Sequence, residues 1–283
     1  MLLAWGGVGS RRLARRIFVK KWFQGEWGLI LGSSSGFGMA AAQALAARGM
    51  NIFGVHFDRR SAMAAIHEQI AAMTSHGVEV EFFNFNAADE EKRQATIKAI
   101  QKKMGDGAVL RTLVHSLAFG SLKSYFAESS EDEITQPQME MTLDVMANSL
   151  VYWARDLRRE KLLGEGSRIF AMTSAGGQRA WPYYGAVSAA KAALEAHIRQ
   201  IALELAPAGV RANAICAGVT DTPALRKIPG HEKLIHEARM KNPNGRLTTP
   251  EDIGKVIALL SLPESDWITG NVINADGGEI IVG

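Results

Sequence analysis

From Trp27 onward, short apolar runs alternate with longer helix-patterned stretches, and this alternation constrains the fold more than any other feature. WGLILG reads as a strand running into GSSSGFG, and AAAQALAARG as an alanine-rich helix closed by Gly49. NIFGVHF is the next strand, SAMAAIHEQIAAMTSHG a helix and VEVEFFNF a strand. Residues 89–104 form a charged amphipathic helix, and VLRTLVHSLA a strand. Residues 131–163 read as one or two helices, with Pro137 near the start of the second. SRIFAMTSA is a strand, Tyr184 to Ala206 a helix, and VRANAICAG a strand. Residues 223–247 show no clear pattern; Thr249 caps a helix starting at Pro250, and NVINADGG is a last strand. Alternation of this kind needs right-handed crossovers and a parallel sheet covered on both faces. The expected fold is α/β: a single doubly wound domain of about seven strands.

Charge divides the chain at one place. The net charge is +3, yet Arg11, Arg12, Arg15, Arg16, Lys20 and Lys21 supply six positive charges before the first acid, Glu26, leaving −3 for the remainder. The basic character is therefore an N-terminal arm (1–25) ahead of a domain at 26–283, and no nucleic-acid-binding face is expected. The arm has the make-up of a transit peptide or a membrane-surface helix, and is read as an upstream extension. No apolar run is long enough for a transmembrane segment. The single cysteine, Cys216, lies in an apolar strand, which excludes an internal disulfide and suggests core packing in a reducing, cytoplasmic setting. No cysteine–histidine cluster has metal-binding spacing.

Two stretches carry chemistry. Gly32, Gly36 and Gly38 stand between the first strand and first helix, where backbone must turn tightly and present helix N–H donors to a pyrophosphate. Asn86 and Ala87, after the third strand, would flank an adenine in that geometry. Tyr184 and Lys191 are seven positions apart, nearly two helical turns, so they share a face. Pro182 places the helix start near Tyr184, at a loop–helix junction open to substrate. A neighbouring ammonium is expected to lower the phenol's pKa and make it a useful acid or oxyanion partner. By itself such a pair is usually a core tyrosine and a surface lysine; its setting in this chain favours the chemical reading.

GSSSGFG, Tyr184 with Lys191, VRANAICAG and NADGG (274–278) together resemble the short-chain dehydrogenase/reductase superfamily over about residues 26–283. The Tyr-x6-Lys spacing, with Val187 where the commoner Tyr-x3-Lys would put its tyrosine, resembles the enoyl-acyl-carrier-protein reductases. So do VHSLAFG (114–120), QRAWPYYGAVSAAKAALEA and DTPALRKIPGHEKL. Ser174, ten positions before Tyr184, matches the divergent branch that has serine there. Met146 falls where carbonyl reductases carry a relay asparagine, and Ala217 where a proline is usual.

The resemblance implies NAD(P)H-dependent reduction of a 2-enoyl thioester in fatty acid synthesis. A short-chain reductase acting on a carbonyl, such as a 3-ketoacyl thioester, is the alternative. It implies Tyr184, Lys191 and Ser174 as catalytic residues. It implies cofactor contacts from Gly32, Ser33, Gly36, Phe37 and Gly38, from Ser116, Leu117 and Ala118, and from Lys191, Gly218, Val219 and Thr222. Phe119, Trp181, Tyr184, Leu225 and Ile228 are the expected substrate contacts, within a substrate loop of about 220–247. At the end of the second strand stands His56 rather than an acid, followed by Asp58, Arg59 and Arg60, which favours NADPH with NADH possible. Acyl carrier protein is acidic, and Arg226, Lys227 and Lys233 are candidates to receive it. A homotetramer is also implied.

Overall fold

The structure is a computed structural model and describes residues 20–282. The body of the arm therefore lies outside the described residues. Its end packs onto the domain: Phe23 is buried and its N–H donates to the Arg48 carbonyl at 3.0 Å.

Seven parallel strands form one sheet in the order β3-β2-β1-β4-β5-β6-β7. They are β1 (Trp27–Leu31), β2 (Asn51–His56), β3 (Val80–Asn84), β4 (Leu110–His115), β5 (Arg168–Ser174), β6 (Arg211–Ala217) and β7 (Val272–Ala275). All seven correspond to runs read from the sequence. Central strands bury both faces. Leu29, Leu31, Phe53, Val55 and Leu113 point into one hydrophobic layer, and Ile30, Ile52, Val114, Phe170 and Ile215 into the other. The chain reverses its direction of winding between β1 and β4, which opens a crevice at the carboxyl ends of these strands.

The helices are α1 (Gly36–Ala46), α2 (Met63–Thr74), α3 (Glu90–Met104), α4 (Gln136–Leu143), α5 (Ser149–Arg159), α6 (Gly185–Leu205), α7 (His231–Lys241) and α8 (Pro250–Leu260). α1 and α8 pack closely because their contact is made by small residues. A Cβ added at Gly254 would lie 2.5 Å from the Ala40 carbonyl oxygen. α8 starts at the expected place, with Pro250 inside a Thr249–Asp252 capping box. α4 has a second such box, Thr135 with Gln138, and Pro137 lies in its first turn.

Two features differ from the sequence reading. Residues 223–247 contain α7, a mostly exposed helix with only Ala238 buried, so no apolar stripe marked it. Between α4 and α5 the helix widens into a π turn over Asp144–Asn148, which holds the crevice residue Met146. Among the described residues no helix is long and apolar enough to cross a membrane.

Candidate active site

A cavity of about 480 Å³ opens at the carboxyl ends of β1, β4, β5 and β6. Phe37, Ser116, Leu117, Ala118, Phe119, Ser174, Trp181, Tyr184, Lys191, Gly218, Val219, Thr222, Leu225 and Ile228 all line it. These residues come from six separate stretches of sequence, and the fold gathers them around one space.

Tyr184 is the cap residue of α6, preceded by Tyr183 in the left-handed region (φ 63°). That conformation is costly for a bulky residue and marks a turn held by its surroundings. The phenol ring lies against Gly176, where a Cβ would come within 2.5 Å of it. Gly176 is fixed in turn by Ser188 of α6, whose hydroxyl donates to the Gly176 carbonyl. Ser174 ends β5 beside the ring. Its Oγ is buried and bonds at most weakly, to the Tyr184 phenol. A buried hydroxyl paired so weakly keeps hydrogen-bonding capacity for a group arriving in the cavity.

Lys191 is buried, and its Nζ donates to the Met172 carbonyl at 2.7 Å. Burial lowers its pKa to about 8, with the Glu195 carboxylate pulling the other way. The expectation for Tyr184 is corrected here. Its pKa is raised by burial, with a hydrogen bond to Ser174 opposing the rise; Lys191 is not among the causes. Desolvation of the phenolate outweighs any help from the ammonium in the protein alone. The tyrosine is therefore a protonated hydrogen-bond donor at neutral pH.

The glycine turn fits a dinucleotide. Gly32 (φ 88°) packs on the Ser116 carbonyl, where a Cβ would sit 2.3 Å from the oxygen; at Gly38 a Cβ would lie 2.0 Å from the Gly32 oxygen. The turn is thus closed down to bare backbone. α1 has no acidic residue in its first turn and no side chain capping it, which leaves its positive end open to an anion. Thr222 reaches this turn, lying 3.8 Å from a Cβ placed at Gly36.

A family model described as "Enoyl-(Acyl carrier protein) reductase" matches residues 32–279. The enoyl-[acyl-carrier-protein] reductase [NADH] of Nostoc sp. is 32% identical over 202 residues, covering 71% of this chain and 76% of its own length. The chain belongs to the enoyl-(acyl carrier protein) reductase family. Another relative, the uncharacterized oxidoreductase YjdA of Bacillus subtilis, is 30% identical over 259 residues, which is 89% of this chain and 96% of that protein. The Bacillus cereus enoyl-acyl carrier protein reductase, solved with NADP+ and indole naphthyridinone, superposes with a TM-score of 0.82 at 24% identity, over 93% of this chain and 99% of that one. The fold is therefore that of the enoyl reductases.

Within this family member, the remaining expected positions fall into two groups. Asn86 and Ala87 follow β3, with the Ala87 carbonyl occupied by Trp153 Nε1 at 2.8 Å. Arg59 and Arg60 are exposed past the end of β2. Ser33 and His56 turn away from solvent. The Ser33 hydroxyl donates to the Val55 carbonyl, and His56 Nδ1 meets Asp58 Oδ2 at 3.0 Å, so both side chains are occupied by the protein. In the proposed landing patch, Arg226 is paired with Asp221 and Lys233 lies 3.8 Å from Glu237, while Lys227 lines the cavity.

Several cavity residues were not expected from the sequence, among them Lys241 and Glu279, and Met146 was noted only as the replacement of a relay asparagine. Met146 lies in the π turn, and Lys241 on α7. Glu279 follows β7, and its Oε2 accepts from the Val219 N–H at 3.1 Å. Burial raises the Glu279 carboxyl, opposed by that hydrogen bond. NADGG gave the only signal for this last position, since a turn there returns the chain to the crevice.

Proposed function

We propose that the protein reduces the double bond of a 2-enoyl thioester carried by acyl carrier protein, with Tyr184, Ser174 and Lys191 as its catalytic residues. The observation that carries this is the buried Ser174 hydroxyl set against the protonated Tyr184 phenol in an apolar cavity that Lys191 also lines. The reduced nicotinamide cofactor, when bound, supplies hydride. The protein has to stabilise the negative charge that appears on the thioester oxygen. Two hydroxyl donors in a water-poor space do this, because their dipoles are fixed before the charge develops. Lys191 has three N–H donors and Met172 takes one. The others serve the cofactor's ribose hydroxyls. Gly32, Gly36, Gly38 and the first turn of α1 would hold the pyrophosphate, and the Val219 backbone would meet the carboxamide.

Met146 stands near the reacting space and has no proton to relay, which favours enoyl over carbonyl reduction. Arg59 and Arg60 flank the end of β2 while His56 engages the Asp58 carboxylate, which supports NADPH over NADH. Phe119, Trp181, Leu225 and Ile228 form the acyl wall, and Lys227 the point nearest an acidic carrier. We also read the enzyme as a cytoplasmic homotetramer. Leu203, Leu259 and Trp267 are large, apolar and exposed, which supports burial against further copies; light scattering tests this.

The test of the site is substitution. Tyr184→Phe should cut kcat for enoyl reduction by about 100-fold or more while the fold is retained. Tyr183→Phe should have little effect. The reverse result would overturn the assignment.

A further inference from the structure

Glu195 lies on α6 one helical turn beyond Lys191, behind the cavity, and is 7% exposed. A carboxylate so buried needs partners. The Thr173 hydroxyl donates to its Oε1 at 2.7 Å. Thr173 neighbours Met172 on β5, and Met172 is the residue whose carbonyl accepts from Lys191 Nζ at 2.7 Å. Two consecutive strand residues thus hold two side chains one turn apart on the helix. The turn after β5 closes over both. A Cβ at Gly177 would lie 3.1 Å from Glu195 Oε1 and 3.4 Å from Lys191 Cβ.

The other titratable groups around Lys191 stand in three places. From β6 comes the Cys216 thiol, which burial pushes up to about 12. From β4 comes His115, which burial brings down to about 3. At the head of α6 is the Tyr184 phenol, raised by burial. All three are uncharged near neutral pH. The Glu195 carboxylate stands one helical turn from Lys191 against the same Gly177, without a direct ion pair, and it opposes the loss of the Lys191 proton that burial favours, more than Cys216 does.

We propose that Glu195, locked by Thr173, is a positioning residue whose buried negative charge holds the Lys191 ammonium in place, with its free N–H donors toward the cavity. The inference rests on the reading above that Lys191 contacts the cofactor.

The test is Glu195→Gln, which keeps the side chain's shape and an acceptor for Thr173 but removes the charge. The affinity for reduced cofactor is followed by nicotinamide fluorescence from pH 6 to 9, with kcat on an enoyl thioester measured in parallel. The variant should be closest to the wild type at pH 6. It should lose affinity with a midpoint about one pH unit lower, and bind about fivefold more weakly at pH 8, approaching tenfold at pH 9. Thr173→Val, which frees the carboxylate without removing it, should shift the profile the same way by less. In a Lys191→Met background the Glu195 change should leave the pH profile where it is. A profile that coincides with the wild type, or a loss of affinity equal at every pH, would overturn the proposal. If Glu195→Gln does not fold, the Thr173→Val profile decides in the same terms. A wild type that binds cofactor but does not reduce an enoyl thioester would count against the proposed reaction alone, because the fluorescence titration needs no turnover.

Discussion

Gly176→Ala should damage turnover while sparing cofactor binding. The added methyl would stand 2.5 Å from Tyr184 Cε1, against an ordinary carbon–carbon contact of about 3.5 Å. The gap must come from one side or the other. The backbone at 176 is tethered to Ser188 of α6, so the ring is the part that moves, by about 1 Å. A displacement of that size in a reacting group costs roughly 100-fold in rate. Overpacking also costs about 1–3 kcal/mol of stability, a few degrees in Tm for a chain this long. The assay is steady-state reduction of an enoyl thioester, with cofactor affinity from fluorescence and fold from circular dichroism. Expected is a kcat about 100-fold lower, cofactor affinity within about twofold of wild type, and an intact spectrum. An alanine variant with full turnover would show that the phenol's position is not set by this contact, and the reasoning would fail.

Two further substitutions test the frame of the site. At Gly38 a methyl group would collide with the Gly32 carbonyl, so Gly38→Ala should weaken cofactor binding at least about tenfold by spreading the phosphate turn, read by the same fluorescence titration; unchanged affinity would count against that turn as the phosphate site. His115 is buried and its pKa is lowered to about 3, so below pH 6.5 the unfolded chain takes up a proton that the folded chain refuses. Stability should fall with pH between 6.5 and 3 by about 1.4 kcal/mol per unit from this group. In urea titrations at pH 7, 5.5 and 4.5 the difference between wild type and His115→Gln should change by that slope, and parallel curves would contradict it.

The sheet was legible because each strand is a short apolar run bounded by turn residues, and β1 with its glycine turn could be placed by pattern alone. α6 was legible from Pro182 and the Tyr–Lys spacing. α7 was not, because HEKLIHEARMK buries one alanine and its charges occur all round the helix. The π turn at Asp144–Asn148, which holds the cavity residue Met146, leaves no mark in composition. The direction of the Tyr184 shift was misjudged for a related reason. Spacing shows that a lysine is near but not how much water the fold removes from the phenol, and the water lost matters more. Ser33, in the turn after β1, and His56, at the end of β2, show a similar limit: the partners their side chains take, the Val55 carbonyl and Asp58, depend on the folded geometry.

The central claim is the reaction. Purified protein should be given a trans-2-enoyl thioester and the matching 3-ketoacyl thioester, each with NADPH and with NADH. The account predicts cofactor oxidation with the enoyl substrate, and a kcat/KM at least tenfold lower on the keto substrate, a difference of about 1.4 kcal/mol in transition-state stabilisation. Equal or greater activity on the keto substrate would contradict it.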